Sequence, residues 1–296
     1  MKDVMRSTRA QAAVRLALDE DLGDAISATG RDWCDATSEA LVDPAAIATG
    51  EIYAKGQGCV VSGATVARAV LKAVDPKISV KILKPDGSVV KPLEPILVFK
   101  GRARSILAAE RTALNFMQRM SATATLAKKF VDATKRYGTL ILDTRKTTPG
   151  LRVFEKYAVT CGGGTNHRFG MYDRVLMKDN HRRLWKGGDP AALDAAVVAA
   201  RKAFPKLAVE VEVESLEECA SALKAKPEWI MLDNMSPADM KKCVRLCRGI
   251  SKTEASGGIT LDRAREVAAT GVTAISLGCL THSAGSVDLS LEWRSV

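Results

Sequence analysis

Five basic residues, Arg111, Arg145, Lys146, Arg168 and Lys178, stand at element ends or in turns rather than on regular polar helix faces. A guanidinium fork grips a carboxylate or phosphate through two parallel hydrogen bonds, and a lysine ammonium acts as a compact point charge. Taken singly, each would read as a solvated surface charge with weak ion pairs. Their shared placement points to a small polyanionic substrate, with Arg145 and Lys146 at the centre. All three histidines fall beside such residues: His167 in Asn166-His167-Arg168, His181 after Lys178-Asp179-Asn180, and His282 in Thr281-His282-Ser283.

Two glycine runs, Cys161-Gly162-Gly163-Gly164 and Ser256-Gly257-Gly258, permit close backbone approach. The second follows a strand where a helix should start, so its N–H groups can cradle a phosphate. Gly278, after the last strand, can complete such a site. Neither run is a nucleotide-binding fingerprint. Glu212 and Asp233 end adjacent predicted strands and offer hard oxygen ligands for Mg²⁺, directly or through water. Their alternative role is as counter-ions to the basic cluster.

The elements that must position these residues are legible from periodicity. Ala13, Leu16 and Ala17 mark an opening helix that stops at Gly23. Between Ala45 and Lys100, short β-like runs (Ile47 to Tyr53, Cys59 to Val61, Ile78 to Leu83, Pro95 to Phe99) surround a helix at Ala64 to Val74. A long helical stretch runs from Ser105 to about Tyr137 and breaks at Gly138. Six strands alternating with helical segments follow: Thr139 to Leu142, Arg174 to Met177, Leu207 to Val213, Trp229 to Leu232, Ser251 to Ala255 and Val272 to Leu277. This predicts parallel βα units, with the polar residues at every strand's C-terminal end meeting on one face. In Val209 to Glu214, alternation puts Glu210, Glu212 and Glu214 opposite the valines, facing the lumen if the strand is central.

Composition narrows the partners. Of 296 residues, 47% are hydrophobic and 26% charged, as in an ordinary globular protein. The net charge of +10 favours an anionic partner. Nucleic acid fits poorly, because the basic residues are scattered, groove-binding motifs are absent, and aromatics make up only 5%. The polar start, Met1 to Ala10, lacks the apolar run of a signal peptide, and no run of about eighteen apolar residues follows, so a cytoplasmic enzyme is expected. Seven scattered cysteines imply reduced thiols, and Cys243 and Cys247 lack a second zinc pair.

Longer strings carry more specific information. Asp143-Thr144-Arg145-Lys146-Thr147-Thr148-Pro149-Gly150, Glu155-Lys156-Tyr157-Ala158-Val159, Gly162-Gly163-Gly164-Thr165-Asn166-His167-Arg168 and Lys178-Asp179-Asn180-His181 occur in order. Glu110 to Phe116, Met231 to Asn234, Glu254 to Ile259 and Leu280 to Ser283 extend the set. Together they closely resemble the quinolinate phosphoribosyltransferase family over about residues 105 to 290, with a looser match before that.

The resemblance implies an incomplete parallel α/β barrel at 119–282 and an N-terminal mixed α/β sandwich domain at 1–118, on which the tail 283–296 packs. It implies transfer of phosphoribose from phosphoribosyl pyrophosphate to quinolinate, with decarboxylation, in NAD biosynthesis. Arg145, Lys146, His167, Arg168 and Lys178 are then expected around the quinolinate carboxylates, with Thr144 beside them and Arg111 contributed by the neighbouring subunit of a homodimer. Glu212 and Asp233 should face the ribose and Mg²⁺-pyrophosphate, reaching the metal directly or through water or substrate. Ser256, Gly257, Gly258 and Gly278 should hold the 5′-phosphate. Lys146, Lys178, Glu212 and Asp233 form the expected catalytic group. A Schiff-base role for Lys178 in an aldolase and a related phosphoribosyltransferase with another acid substrate are the rival readings.

Overall fold

The computed structural model describes residues 3–23, 33–185, 189 and 191–295. Within the segments Ala25 to Thr37 and Arg182 to Gly188, positions 25–32 and 186–188 lie outside the described residues. The chain forms two compact units: Met1–Lys128 with Thr147–Gly163 and Cys279–Val296, and Lys129–Lys146 with Gly164–Gly278.

In the first part of the chain, α1 (Thr8–Leu22) buries Ala10, Val14, Leu18 and Leu22, one face at four-residue spacing. Asp35 caps α2 (Ala36–Leu41) by accepting the Ser38 N–H at 3.1 Å. Next come β1 (Ile47–Ala54), β2 (Cys59–Val60), α3 (Ala64–Val74), β3 (Ser79–Ile82), β4 (Val89–Val90) and β5 (Pro95–Arg102). The 32-residue α4 (Ala103–Thr134) ends in a 3₁₀ turn and Gly138, whose φ of 69° a glycine adopts without strain.

β6 (Leu140–Leu142) and α5 (Arg152–Cys161) precede β7 (Val175–Met177), the short α6 (Asp179–Arg183) and α7 (Leu193–Ala203). The run continues through β8 (Val209–Val213), α8 (Leu216–Leu223), β9 (Trp229–Asp233), α9 (Pro237–Cys247), β10 (Lys252–Ser256), α10 (Leu261–Ala268) and β11 (Ala274–Ser276). Ser215 and Ser236 cap α8 and α9 through their side chains, so both helices start directly after the strand-end loops. A short α11 (Cys279–His282) and β12 (Leu289–Ser295) close the chain.

The first unit is built on an antiparallel sheet ordered β12-β1-β5-β3, with β2 and β4 as a separate pair. Its core is apolar, with Ile52, Leu97, Phe99, Ile106, Leu114 and Met117 almost fully buried. Trp293 on β12 meets Phe99 edge-on, ring centroids 6.4 Å apart. Gly50 makes room for that ring, since a Cβ there would sit 2.7 Å from two Phe99 atoms.

The barrel expected over 119–282 does not own all of that segment: 147–163 belongs to the first unit. The reason is packing, because α5 turns Phe154 and Ala158 into the apolar core and Phe154 stacks at a tilt on Phe116, centroids 4.9 Å apart. Part of α4, up to Lys128, also counts with the first unit rather than with the second.

The second unit is a six-stranded parallel sheet ordered β6-β11-β10-β9-β8-β7. No ladder joins β7 to β6 among the described residues, so the barrel is incomplete. Instead Thr165 bridges Leu142, and the loop beginning there runs alongside β6. In register, Met231 on β9 stands opposite both Glu212 on β8 and Glu254 on β10, and Asp233 stands opposite Ser256. Strand alternation therefore lines these carboxylates up on one face.

Candidate functional site

The C-terminal strand ends of the second unit hold nearly every residue singled out above. After β6 the chain turns, with the Lys146 N–H donating to Thr144 Oγ1 at 3.0 Å, and Arg145 stands at the apex. Asp143, fully buried, accepts the His167 N–H at 2.8 Å and so ties the loop carrying His167 and Arg168 to the end of β6. Arg168 donates through Nη1 to the Arg174 carbonyl at 3.1 Å. Burial first, and then the Arg145 guanidinium, lower the Arg168 pKa from its usual value. Two guanidiniums that disfavour each other's charge are the arrangement an anion between them would relieve.

Lys178, directly after β7, donates to Glu212 Oε2 at 2.7 Å; its side chain is 46% exposed while that of Glu212 is only 8% exposed. The buried carboxylate holds the cation, and the exposed ammonium keeps donors for a ligand. The backbone N–H of Lys178 donates to His181 Nδ1 at 3.0 Å, so His181 shapes the turn. His282 belongs to the first unit, where its Nδ1 lies 2.6 Å from Ser283 Oγ. Arg111 is also in the first unit, exposed on α4.

At the end of β9, Asn234 donates from Nδ2 to Asp233 Oδ2 at 2.8 Å and from its backbone to the Ser256 carbonyl at 3.0 Å. This bond fixes the Ser256-Gly257-Gly258 turn against the end of β9. Gly257, at φ 98°, has no alternative: a Cβ would meet Asn234 Oδ1 at 2.1 Å. Gly258 faces open space ahead of α10, where backbone N–H groups can meet a phosphate. Gly278 follows Leu277, whose N–H donates to the Leu142 carbonyl at 2.9 Å, so it lies beside the end of β6. The other glycine run has a packing role: a Cβ at Gly162 would meet the Ala124 carbonyl of α4 at 2.2 Å.

Of the glutamates expected in the lumen, Glu210 and Glu212 are buried, whereas Glu214 is exposed because β8 ends at Val213. Sequence reasoning left Glu210, Glu254 and Arg174 out of the site. His167 Nε2 lies 3.1 Å from Glu210 and 3.5 Å from Glu254, and Arg174 Nη1 lies 3.1 Å from Glu210. Below them Arg174 and Lys252 both approach the Trp229 ring, at 5.3 and 5.2 Å. Alternation along β8 was a usable signal for Glu210; Glu254 becomes visible only through the register with β9.

Among the described residues, His167, Glu210 and Glu254 are the one group of three potential metal ligands with ligand atoms within 4.8 Å of each other. All seven cysteines are free thiols, and Cys219 and Cys247 meet in the interior at 3.7 Å. The first unit contains a cavity of about 450 Å³ between α1, α4 and α5, lined in part by Leu16, Phe116, Met120 and Phe154. It is mostly apolar and lacks the convergent cations found at the strand ends, so size alone does not make it the reactive centre. No described helix is long and apolar enough to cross a membrane.

Comparison with known proteins agrees with this fold. The profile of the quinolinate phosphoribosyl transferase C-terminal domain matches residues 123–292, and that of the N-terminal domain matches residues 35–121. A chloroplastic nicotinate-nucleotide pyrophosphorylase [carboxylating] from Oryza sativa subsp. japonica is 42% identical over 95% of this chain and 77% of its own length. A probable nicotinate-nucleotide pyrophosphorylase [carboxylating] from Bacillus subtilis is 40% identical over 82% of each chain. The solved nicotinate-nucleotide pyrophosphorylase from Francisella tularensis superposes with a TM-score of 0.88 at 37% identity, covering 99% of this chain and 98% of that one.

Proposed function

This chain belongs to the quinolinate phosphoribosyltransferase family, and from that premise we propose how its strand-end residues divide the two substrates. The enzyme transfers phosphoribose from phosphoribosyl pyrophosphate to quinolinate with decarboxylation, as a carboxylating nicotinate-nucleotide pyrophosphorylase of NAD biosynthesis. The pyridine nitrogen takes the anomeric carbon as pyrophosphate leaves with the bonding pair. The 2-carboxylate then departs as CO₂, leaving its bonding pair at C2 of the positively charged ring, and C2 takes up a proton from water. Nicotinate mononucleotide is the product.

The observation that carries the assignment is the gathering of cations at the C-terminal strand ends of one sheet: Arg145 after β6, Arg168 on the loop that Asp143 ties to that strand end, and Lys178 after β7, held by the buried Glu212. Arg145, Lys146, Arg168 and Lys178 take the quinolinate carboxylates, with His167 and Thr144 shaping the loops that carry them. Lys146 and Lys178 also offset the negative charge brought together when both substrates enter. Ser256, Gly257, Gly258 and Gly278 take the 5′-phosphate. Glu212 and Asp233 face the ribose, where carboxylates stabilise oxocarbenium character at the anomeric carbon.

Mg²⁺ fits this donor set in a limited way: Glu212 and Asp233 offer hard oxygens from neighbouring strands, but Lys178 occupies one Glu212 oxygen at 2.7 Å. The ion would be held chiefly by pyrophosphate, with these carboxylates reached directly or through water. Bound there, it would neutralise charge on the leaving pyrophosphate. We assign the enzyme to the cytoplasm and to a homodimer in which the exposed Arg111 serves the site of the second copy.

The test is incubation with phosphoribosyl pyrophosphate, Mg²⁺ and either quinolinate or nicotinate, following CO₂ and pyrophosphate together. Equimolar release from quinolinate is expected, and product from nicotinate alone would sink the assignment. Arg145→Ala should lower kcat/KM for quinolinate by about a hundredfold, roughly the 2–5 kcal/mol of a buried charge pair losing one partner, with folding retained.

A further inference from the structure

Two fully buried glutamates lie beneath the cations and no step of the reaction uses them. Glu210 on β8 and Glu254 on β10 flank β9, and both converge on His167 Nε2, at 3.1 and 3.5 Å. The Arg174 guanidinium contacts Glu210 at 3.1 Å. Two ionised carboxylates in one dry pocket repel, so such a pair holds a proton between its members. Glu210 has the guanidinium and the imidazole; Glu254 faces Glu210 and the Ser276 hydroxyl on β11. The charge therefore belongs to Glu210 and the proton to Glu254.

The imidazole is oriented from both sides. The Arg168 backbone N–H donates to His167 Nδ1 at 2.7 Å, so Nδ1 presents its lone pair and the ring proton sits on Nε2, toward Glu210. The His167 backbone is fixed in turn by Asp143, at 2.8 Å. The next residue along the chain is Arg168, whose guanidinium is tied to the Arg174 carbonyl at 3.1 Å. Glu254, Glu210, His167 and Arg168 thus form one continuous series of contacts ending at the substrate cations.

We propose that Glu210 and Glu254, with Arg174, form a positioning layer in which Glu254 serves as a neutral carboxylic acid and which fixes His167, and through it Arg168, for the quinolinate carboxylates. This rests on the reading of Arg145 and Arg168 as the carboxylate-binding pair. Electrostatics agree with the geometry: burial and then the Glu210 carboxylate push the Glu254 pKa well above the ordinary range. A divalent metal ion among the same three side chains would add two positive charges beside a guanidinium already 3.1 Å from Glu210, whereas a proton leaves the group balanced.

Quinolinate KM, phosphoribosyl pyrophosphate KM and kcat are measured for wild type, Glu254→Gln, Glu254→Leu, Glu210→Gln and Arg168→Ala, with metal content determined on each preparation. An amide copies the shape and donor of a neutral acid, so Glu254→Gln should keep quinolinate KM within about twofold of wild type. Glu254→Leu and Glu210→Gln should raise it about tenfold or more while the phosphoribosyl pyrophosphate KM stays within about twofold, as loss of a buried charged or neutral partner predicts. If Glu254→Leu does not fold, the two isosteric amides still give the contrast. In wild type, ¹⁵N-histidine spectra, with the His167 signals identified by their loss in His167→Asn, should show that imidazole with its proton on Nε2 and its lone pair on Nδ1, apart from His181, whose Nδ1 also accepts a backbone N–H. The proposal is overturned if Glu254→Gln damages binding as much as Glu210→Gln, if that tautomer is absent, or if one equivalent of metal co-purifies and its removal mimics the mutants. Arg168→Ala separates the two levels. An unchanged quinolinate KM there removes the carboxylate-binding assignment and this proposal together; a raised KM there with no effect of Glu210→Gln removes the positioning layer alone.

Discussion

The two units bury themselves by different physics. In the first, the antiparallel sheet and its helices close over Phe99, Ile52, Leu97 and Met117, and the buried charged side chains Glu155 and Lys156 lie on α5 and not on the sheet. In the second, the interior strand β8, paired on both sides, is buried along its whole length, yet two of its five residues are glutamates. An apolar interior is stabilised by area removed from water and tolerates exchange of one hydrocarbon for another. A charged interior persists only when every carboxylate has a cation, a donor or a proton, so its composition is dictated by the substrate-binding face above it. The contrast marks the second unit as the seat of chemistry without reference to any motif.

Substitutions that act on one unit and not the other sharpen this contrast. The largest effect is expected from Phe99→Ala, which removes a fully buried ring and its edge contact with Trp293 and leaves the Gly50 side of the ring empty. It should cost about 3–5 kcal/mol of stability by chemical denaturation. Quinolinate KM, measured well below the melting temperature, should not move; a large KM change would mean that the first unit's core also tunes the site. Gly257→Ala should come next, because its Cβ would overlap Asn234 Oδ1 at 2.1 Å and the backbone sits at φ 98°. A loss of about 1–3 kcal/mol in stability is expected from strain and forced rearrangement. Its kinetic signature should be a raised KM for phosphoribosyl pyrophosphate with that for quinolinate nearly intact. The opposite split would place the phosphate elsewhere.

The same contrast explains how much was legible in the sequence. Five of the six parallel strands are marked by short apolar or Val-rich runs followed by polar ends, and β10, Lys252–Ser256, is marked instead by its place between two helical segments and by the Gly257-Gly258 turn after it. The assignment of 147–163 was not legible: Phe154 and Ala158 announce that α5 buries a face, but nothing local says that the face meets the first unit's core. Glu214 followed the alternation of β8 on paper, yet the strand ends at Val213 and Ser215 caps the next helix, so the side chain reaches solvent. Glu254 was overlooked for the converse reason. In Lys252-Thr253-Glu254-Ala255-Ser256 it stands among polar residues that give no sign of burial, and only pairing through β9 brings it into line with Glu212.

A pH dependence distinguishes the two buried glutamates from each other. Glu254 has a folded pKa raised well above 4.5, by burial and then by the Glu210 carboxylate. The groups facing it are Glu210 from β8, the Ser276 hydroxyl from β11, Arg174 and His167. Such a group contributes stability that is complete below the unfolded carboxyl pKa and is lost as pH rises toward the folded value, because there the unfolded chain releases a proton that the folded chain retains. Glu210, with its net shift downward, acts in the opposite sense: its contribution is present above the unfolded pKa and lost as pH falls through the folded one. The two windows lie on opposite sides of the ordinary carboxyl range. Glu254→Gln removes only the upper one, so its stability relative to wild type should rise as pH increases above about 4.5, by at most about 1.4 kcal/mol per pH unit. The acid limb, governed by Glu210 and other carboxylates, should be the same in both proteins. Denaturant midpoints taken from pH 4 to 8 would show the two curves diverging upward from the acid side; parallel curves would mean that Glu254 is ionised in the folded protein and that the second unit's interior carries both negative charges.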